Sequence, residues 1–174
     1  MPSIVLVADM SEAATGKVKA TQRITGEAGQ DIFAVVDRLS AEIKKDLALP
    51  AQAAQEPERP IANATTHSTE AYRYYLEGID YWEKLYYPEA EKSFRKAIHL
   101  DSTFAMAYYQ LARTFDRLTN PEDAKKAIAQ AVKYSNKVSE MEKRYIRAEE
   151  ARLTGNLPLA IKEREKIVAD YPQE

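Results

Sequence analysis

The sequence predicts a mainly α-helical fold: an α-solenoid of about three helix–turn–helix repeats, six helices in all, preceded by a small β-hairpin plus helix. The first observation behind this is a block that occurs twice. Residues 71–104 overlay residues 105–138 without a gap, placing Tyr74 on Tyr108, Gly78 on Ala112, Tyr81 on Phe115, Ala90 on Ala124, Phe94 on Ile128 and Ala97 on Ala131. The second is a fading third copy at 141–174, two residues late. It puts Ala148, Ala151, Gly155, Ala160 and Ile167 in the matching places and ends at Asp170, Tyr171 and Pro172. Self-similarity at about 34 residues is the mark of stacked helical hairpins, none of which can bury its apolar face alone. The third is that helix start and stop residues recur at similar points of each copy.

Composition narrows the function classes. Of 174 residues, 45% are hydrophobic and 30% charged, which is a globular balance. The 25 basic and 27 acidic residues nearly cancel, and from Ser68 onward the two are equal in number. Nucleic-acid binding normally needs a basic field, so that class is set aside. There is no cysteine, which excludes a disulfide framework and thiolate chemistry but leaves the compartment open. The apolar run Ile4–Ala8 is too short for a signal-peptide core or a membrane span. A soluble chain without membrane insertion is expected, with the cytoplasm favoured over the extracytoplasmic part of an anchored protein.

Residues 1–48 are expected to form a partial α/β unit. Ser3–Asp9 is rich in β-branched residues, and Val18, Ala20, Gln22 and Ile24 alternate along a second strand. Residues 11–17 between them read as a loop with a turn glycine, Gly16. Asp31 can cap a helix to about Leu47, with Ile32, Val35, Val36, Leu39, Ile43 and Leu47 as its apolar stripe, and Pro50 stops it. A hairpin and one helix bury little surface, so another element, another copy or upstream sequence should cover them. The turn Asp9–Lys17 and the helix opening Asp31-Ile32-Phe33-Ala34 resemble the last strand–turn–strand–helix portion of a TolB-like α/β domain. Residues 49–67, rich in Ala, Pro, Gln and Glu without a period, read as a linker.

The array is expected over 68–174, with repeats at 71–104, 105–138 and 141–174 and helices near 68–84, 87–100, 103–118, 121–135, 139–154 and 157–170. Ser68 and Asn120 are N-cap candidates, and Ser139 with Glu142 makes a capping box. Pro88, Pro121 and Pro158 open second helices, where a missing amide hydrogen costs nothing. Gly78, Ala112 and Ala148 face Ala90, Ala124 and Ala160 across each pair, so the helix axes can approach closely.

This order of residues resembles the tetratricopeptide repeat (TPR): a bulky aromatic, a small residue, a second aromatic, then Ala, a bulky apolar residue, Ala and Pro. Two units match well, with Ser102 and Asn136 in the proline place. In the third, Arg144 and Arg164 stand where large apolar residues are expected. The resemblance implies a protein-interaction scaffold whose first helices line a concave groove for a partner's peptide or helix. Carried over, the groove positions are Tyr72, Tyr75, Ile79 and Trp82, then Met106, Tyr109, Arg113 and Asp116, then Glu142, Tyr145, Glu149 and Arg152. A short apolar or aromatic peptide bearing a carboxylate would suit them. Tyr75 and Ile79 occupy the first two places of the Lys/Asn clamp of the chaperone-binding subgroup, so chaperone-tail binding is not expected. The same aromatics could instead be covered by the linker or by the helix of residues 31–47.

Catalysis is poorly supported. His67 and His99 have no second ligand at metal spacing, so no metal or cofactor is expected. Gly16, Gly26 and Gly29 make no phosphate loop, because no Lys-Ser/Thr follows. Glu149-Glu150 reads as a solvated pair, since adjacent helical residues point about 100° apart. Lys125-Lys126 and Glu163–Lys166 read as solvent faces. The leading function is a non-catalytic scaffold, as a fragment of a larger bacterial signalling regulator. The alternative is an oligomerisation segment, through the N-terminal hairpin or the uncapped last helix with Leu159, Ile161, Ile167 and Val168.

Overall fold

A computed structural model of the chain describes residues 4–12, 14–27, 32–46, 66 and 68–172. The chain divides into two compact units, Met1–Ala62 and Asn63–Glu174.

In the first unit, strands β1 (Ile4–Ser11) and β2 (Val18–Gly26) pair antiparallel from Ile4↔Gly26 to Met10↔Ala20, with an irregularity between Met10 and Ser11. Gly16 closes the hairpin in the left-handed region at φ 69°. Ala20, Gln22 and Ile24 are half-buried, while Lys19, Thr21, Arg23 and Thr25 face outward. Val18, expected on the inner row, is 58% exposed at the strand's first position. Helix α1 (Ile32–Asp46) packs mainly on β2. Its most buried side chains are Phe33 and Val35, and Phe33 lies outside the expected stripe. The expected cap Asp31 and helix end Leu47 fall outside the described residues, as does all of the 49–67 linker except Thr66.

The second unit contains three antiparallel helix pairs: α2 (Thr69–Glu83) with α3 (Tyr87–Leu100), α4 (Ala105–Arg117) with α5 (Pro121–Lys133), and α6 (Glu140–Leu153) with α7 (Leu157–Asp170). Each pair also packs on the next, α3 on α4 and α5 on α6. Ser68 Oγ accepts from the Ala71 amide at 3.1 Å, and Ser139 and Glu142 form the reciprocal capping box. Helix α4 starts at Ala105, two residues later than expected, with Phe104 in the N-cap position. A short 3₁₀ turn, Ser135–Lys137, precedes the last pair and accounts for its two-residue offset.

All three hairpin turns close in the same way. The amides of Tyr86, Asn120 and Asn156 donate to the carbonyls of Tyr81, Phe115 and Ala151 at 2.8, 2.9 and 2.7 Å. The preceding amides of Leu85, Thr119 and Gly155 donate to Trp82, Asp116 and Arg152. This is the Schellman arrangement, which needs a left-handed residue at its corner. Leu85, Thr119 and Gly155 supply it at φ 65°, 57° and 83°, although only the last is glycine. Asn120 and Asn156 then cap the following helix with their side chains, whereas Tyr86 makes no side-chain cap. Leu85 is 66% exposed, so its side chain contributes little packing while its backbone is strained. Leu85→Gly is therefore expected to stabilise the array by about 0.5–1 kcal/mol, read as a higher urea midpoint at unchanged slope.

The array's core runs through Phe94, Phe104, Ile128, Val138 and Ile146, all 2% exposed or less. Its entry is tied down by Asp101. The Thr66 hydroxyl donates to Asp101 Oδ2 at 2.6 Å, and the Thr103 amide and hydroxyl donate to Oδ1 at 2.9 and 2.8 Å. Burial pushes the Asp101 carboxyl up, but these bonds and the charge of Lys137 outweigh it and hold it below its ordinary value of 3.8. A depressed carboxyl stabilises the fold above its unfolded pKa and loses that contribution as pH falls through the folded value. Asp101→Asn is expected to cost about 1 kcal/mol at pH 7. Urea melts of both proteins should show the gap closing as the solution is acidified below that ordinary value.

The third pair replaces apolar contacts by ion pairs. Arg144 reaches Asp170 at 2.9 Å, and Arg164 reaches Glu149 at 3.7 Å. Glu149 is 3% exposed, so the expected solvated Glu149-Glu150 pair is corrected: only Glu150 is partly solvated, because three arginine-to-carboxylate contacts draw Glu149 inward. Glu163 is also buried, at 7%, so the solvent face at Glu163–Lys166 begins one residue later. Lys125 and Lys126 are exposed, as expected. On α7, Leu159, Ile161 and Val168 are 40–68% exposed, whereas Ile167 is buried.

Candidate functional site

The first helices of the pairs, α2, α4 and α6, carry the residues expected to bind, and direct contacts join these side chains into one strip. Tyr72 and Tyr75 stack at 6.1 Å between ring centroids. Tyr75 leans on Phe104 at 4.9 Å and on Phe94 at 6.0 Å. Trp82 meets Tyr87 edge-on at 6.0 Å. Ile79 packs against the core beside them. From α2 to α4, the Arg113 guanidinium lies 4.2 Å from the Trp82 ring centroid and 5.6 Å from that of Tyr109. From α4 to α6, Tyr109 and Tyr145 meet at 6.4 Å.

The strip ends in a charged network. Arg152 Nη2 sits 2.9 Å from Asp116 Oδ2 on α4 and 2.8 Å from Glu149 Oε1. Its Nε donates to Glu149 Oε2 at 3.2 Å, making a two-pronged grip on that carboxylate. The hydrogen bonding that Arg152 donates to Glu149 is the main reason its pKa is raised above its ordinary value, with Asp116 adding to it. Both charges of Arg152's surroundings are thus spent within the protein. Glu142, in turn, is engaged with Ser139 as a helix cap.

Exposure separates the strip into walls and floor. Met106, Tyr109 and Glu149 are buried, at 7%, 6% and 3%. Tyr72, Tyr75, Ile79, Trp82, Arg113, Asp116, Glu142, Tyr145 and Arg152 are partly exposed. Burial pushes the Tyr75 hydroxyl up to about 12, against a hydrogen bond with the Gln110 side chain. Tyr109 is raised by burial as well, with Arg113 acting in the opposite direction. Both hydroxyls are neutral at pH 7 and offer donors, not charge.

Two participants escaped the sequence reading. Gln110 is 9% exposed and accepts from Arg113 Nη1 at 3.0 Å through Oε1, fixing the guanidinium over Trp82. Its three-residue spacing from Arg113 could have placed it there. Arg164 comes from α7 and no spacing within α6 points to it. Trp82 Nε1 is buried without an acceptor among the described residues. His99 is exposed at the end of α3, and His67 lies outside the described residues. Among the described residues, no cluster of three or more His, Asp or Glu is placed to hold a metal ion. None of their helices is long and apolar enough to cross a membrane.

No family model matches the chain, and no curated protein matches it. Among 16 matching solved chains is one described as the first TPR of Spaghetti (RPAP3) bound to the HSP90 peptide SRMEEVD. It is 20% identical, with a TM-score of 0.47, and the match covers 62% of this chain and 83% of that one. The paired helices and the thrice-repeated turn make this part of the chain an α-helical array of three stacked hairpins. The resemblance of the first 48 residues to a TolB-like domain finds no support in these comparisons.

Proposed function

We propose that the chain is a non-catalytic protein-interaction scaffold, and that the face carried by α2, α4 and α6 takes an extended peptide or a helix of a partner. The observation that supports this reading most is the set of partly exposed aromatics, Tyr72, Tyr75 and Trp82 on α2 and Tyr145 on α6, linked across α4 through Arg113 and the buried Tyr109. Aromatic side chains make large contacts with few rotamers to freeze, which is the usual composition of a binding anchor. The test is to pan a phage-displayed library of random 12-residue peptides against the full chain. The best binder is then compared on wild type, Tyr75→Ala and Trp82→Ala. Each substitution is expected to weaken binding by about tenfold or more, with circular dichroism verifying that the helices persist. Binding unchanged in both variants would count against the face.

A second reading has its own observation. Leu157, Ile161 and Val168 recur at helical spacing on α7 and are 56–68% exposed. That stripe favours self-association through the last helix. Light scattering over a concentration series distinguishes the readings: a stable dimer abolished by Ile161→Lys supports the second, and a monomer at all concentrations removes it.

A further inference from the structure

We propose that Arg113 determines the specificity of this face, taking an aspartate or glutamate side chain of a partner segment whose neighbouring residues are apolar or aromatic. The inference rests on the scaffold reading and specifies the chemistry of its ligand. The strip carries two candidate cations, and the structure treats them differently. Arg152 is gripped by Asp116 and Glu149. Arg113 forms no ion pair among the described residues; its charge faces the rings of Trp82 and Tyr109 and one neutral acceptor, Gln110. A guanidinium has five donors in a planar fork, and Gln110 occupies only one of them. Stacking on Trp82 leaves the edge of that fork available and pre-oriented, the geometry that suits a carboxylate in two-pronged contact.

Aromatic surface flanks Arg113: Tyr75 shares a hydrogen bond with Gln110, and Tyr145 packs on Tyr109, which suits apolar or aromatic residues beside the acid. Asp116, one helical turn from Arg113 and paired with Arg152, opposes a doubly charged phosphate more than a single carboxylate.

The test uses the same 12-residue library, with enriched peptides synthesised amidated at the C-terminus so that only side-chain acids are compared. Binding is followed by isothermal titration calorimetry, which reads wild type and every variant alike, because Trp82→Ala removes the chain's one tryptophan. Enriched peptides are expected to carry Asp or Glu next to an aromatic or large aliphatic residue. Exchanging that acid for its amide should weaken binding to wild type about tenfold. In Arg113→Gln the acid and amide peptides should bind alike, and Arg113→Lys should restore part of the difference. Peptides that lose binding in Tyr75→Ala and Trp82→Ala yet lack an acid, or keep their preference for the acid in Arg113→Gln, would overturn the assignment to Arg113 and leave the scaffold reading standing. A library yielding no peptide sensitive to Tyr75→Ala or Trp82→Ala would remove both.

Discussion

Phe104→Ala is expected to cost about 3–5 kcal/mol, the largest effect of any single truncation considered for the array. Phe104 is fully buried although it belongs to no helix interior: it stands at the N-cap of α4, where its side chain makes no capping bond. Its ring lies 4.9 Å from Tyr75, so it joins the first pair to the second. One repeat later Val138 fills the corresponding place, 1% exposed, just ahead of α6. Stacked repeats draw stability from each pair's interface with its neighbours, so removing the plug weakens one interface rather than one helix. Urea unfolding followed by circular dichroism should show a lower midpoint and a broadened transition as α2 and α3 separate first. A loss under about 1 kcal/mol would mean that the site collapses onto the gap and that Phe104 does not couple the pairs.

Gly78→Ala should destabilise the fold by about 1–3 kcal/mol, against the sign that helix propensity alone suggests. In an exposed helix interior the exchange would gain about 1 kcal/mol. Here a Cβ at position 78 would come within 2.5, 2.7 and 2.9 Å of three ring atoms of Phe94, which is fully buried and has no room to withdraw. The second pair solves the same crossing with Ala112 against Ile128. A slimmer side chain at 94 should therefore accept the methyl group. The double variant Gly78→Ala/Phe94→Ile is expected to be more stable than the sum of its single changes, a coupling of about 1 kcal/mol or more in a double-mutant cycle. Additive single effects would show that the close approach is relieved elsewhere.

The array was legible because its information is periodic. Tyr74, Gly78, Tyr81, Ala90, Phe94 and Ala97 repeat at fixed spacing, and caps at Ser68, Asn120 and Ser139 mark helix starts by residue type. The turns were less so: only Gly155 advertises a left-handed corner, while Leu85 and Thr119 adopt it because the two flanking helices and their hydrogen bonds impose it. Phe104 and Val138 sit at repeat boundaries, where a helical period carries no signal. Glu149 looked solvated beside Glu150 because its partners, Arg152 and Arg164, arrive partly from another helix. Arg144 and Arg164 were visible as departures from the pattern, but the carboxylates that make them acceptable were not. For the candidate face, helical spacing placed Tyr75, Trp82 and Arg113 on first helices. Which arginine is already neutralised depends on contacts between helices, and only coordinates reveal those.

Amide chemical-shift mapping of a library-selected peptide on the isotopically labelled chain tests the scaffold reading most directly. Shifts are expected to cluster on α2, α4 and α6, from Tyr72 to Trp82, Met106 to Asp116 and Glu142 to Arg152. Shifts gathered instead on α3, α5 and α7, or on the β-hairpin, would contradict that reading.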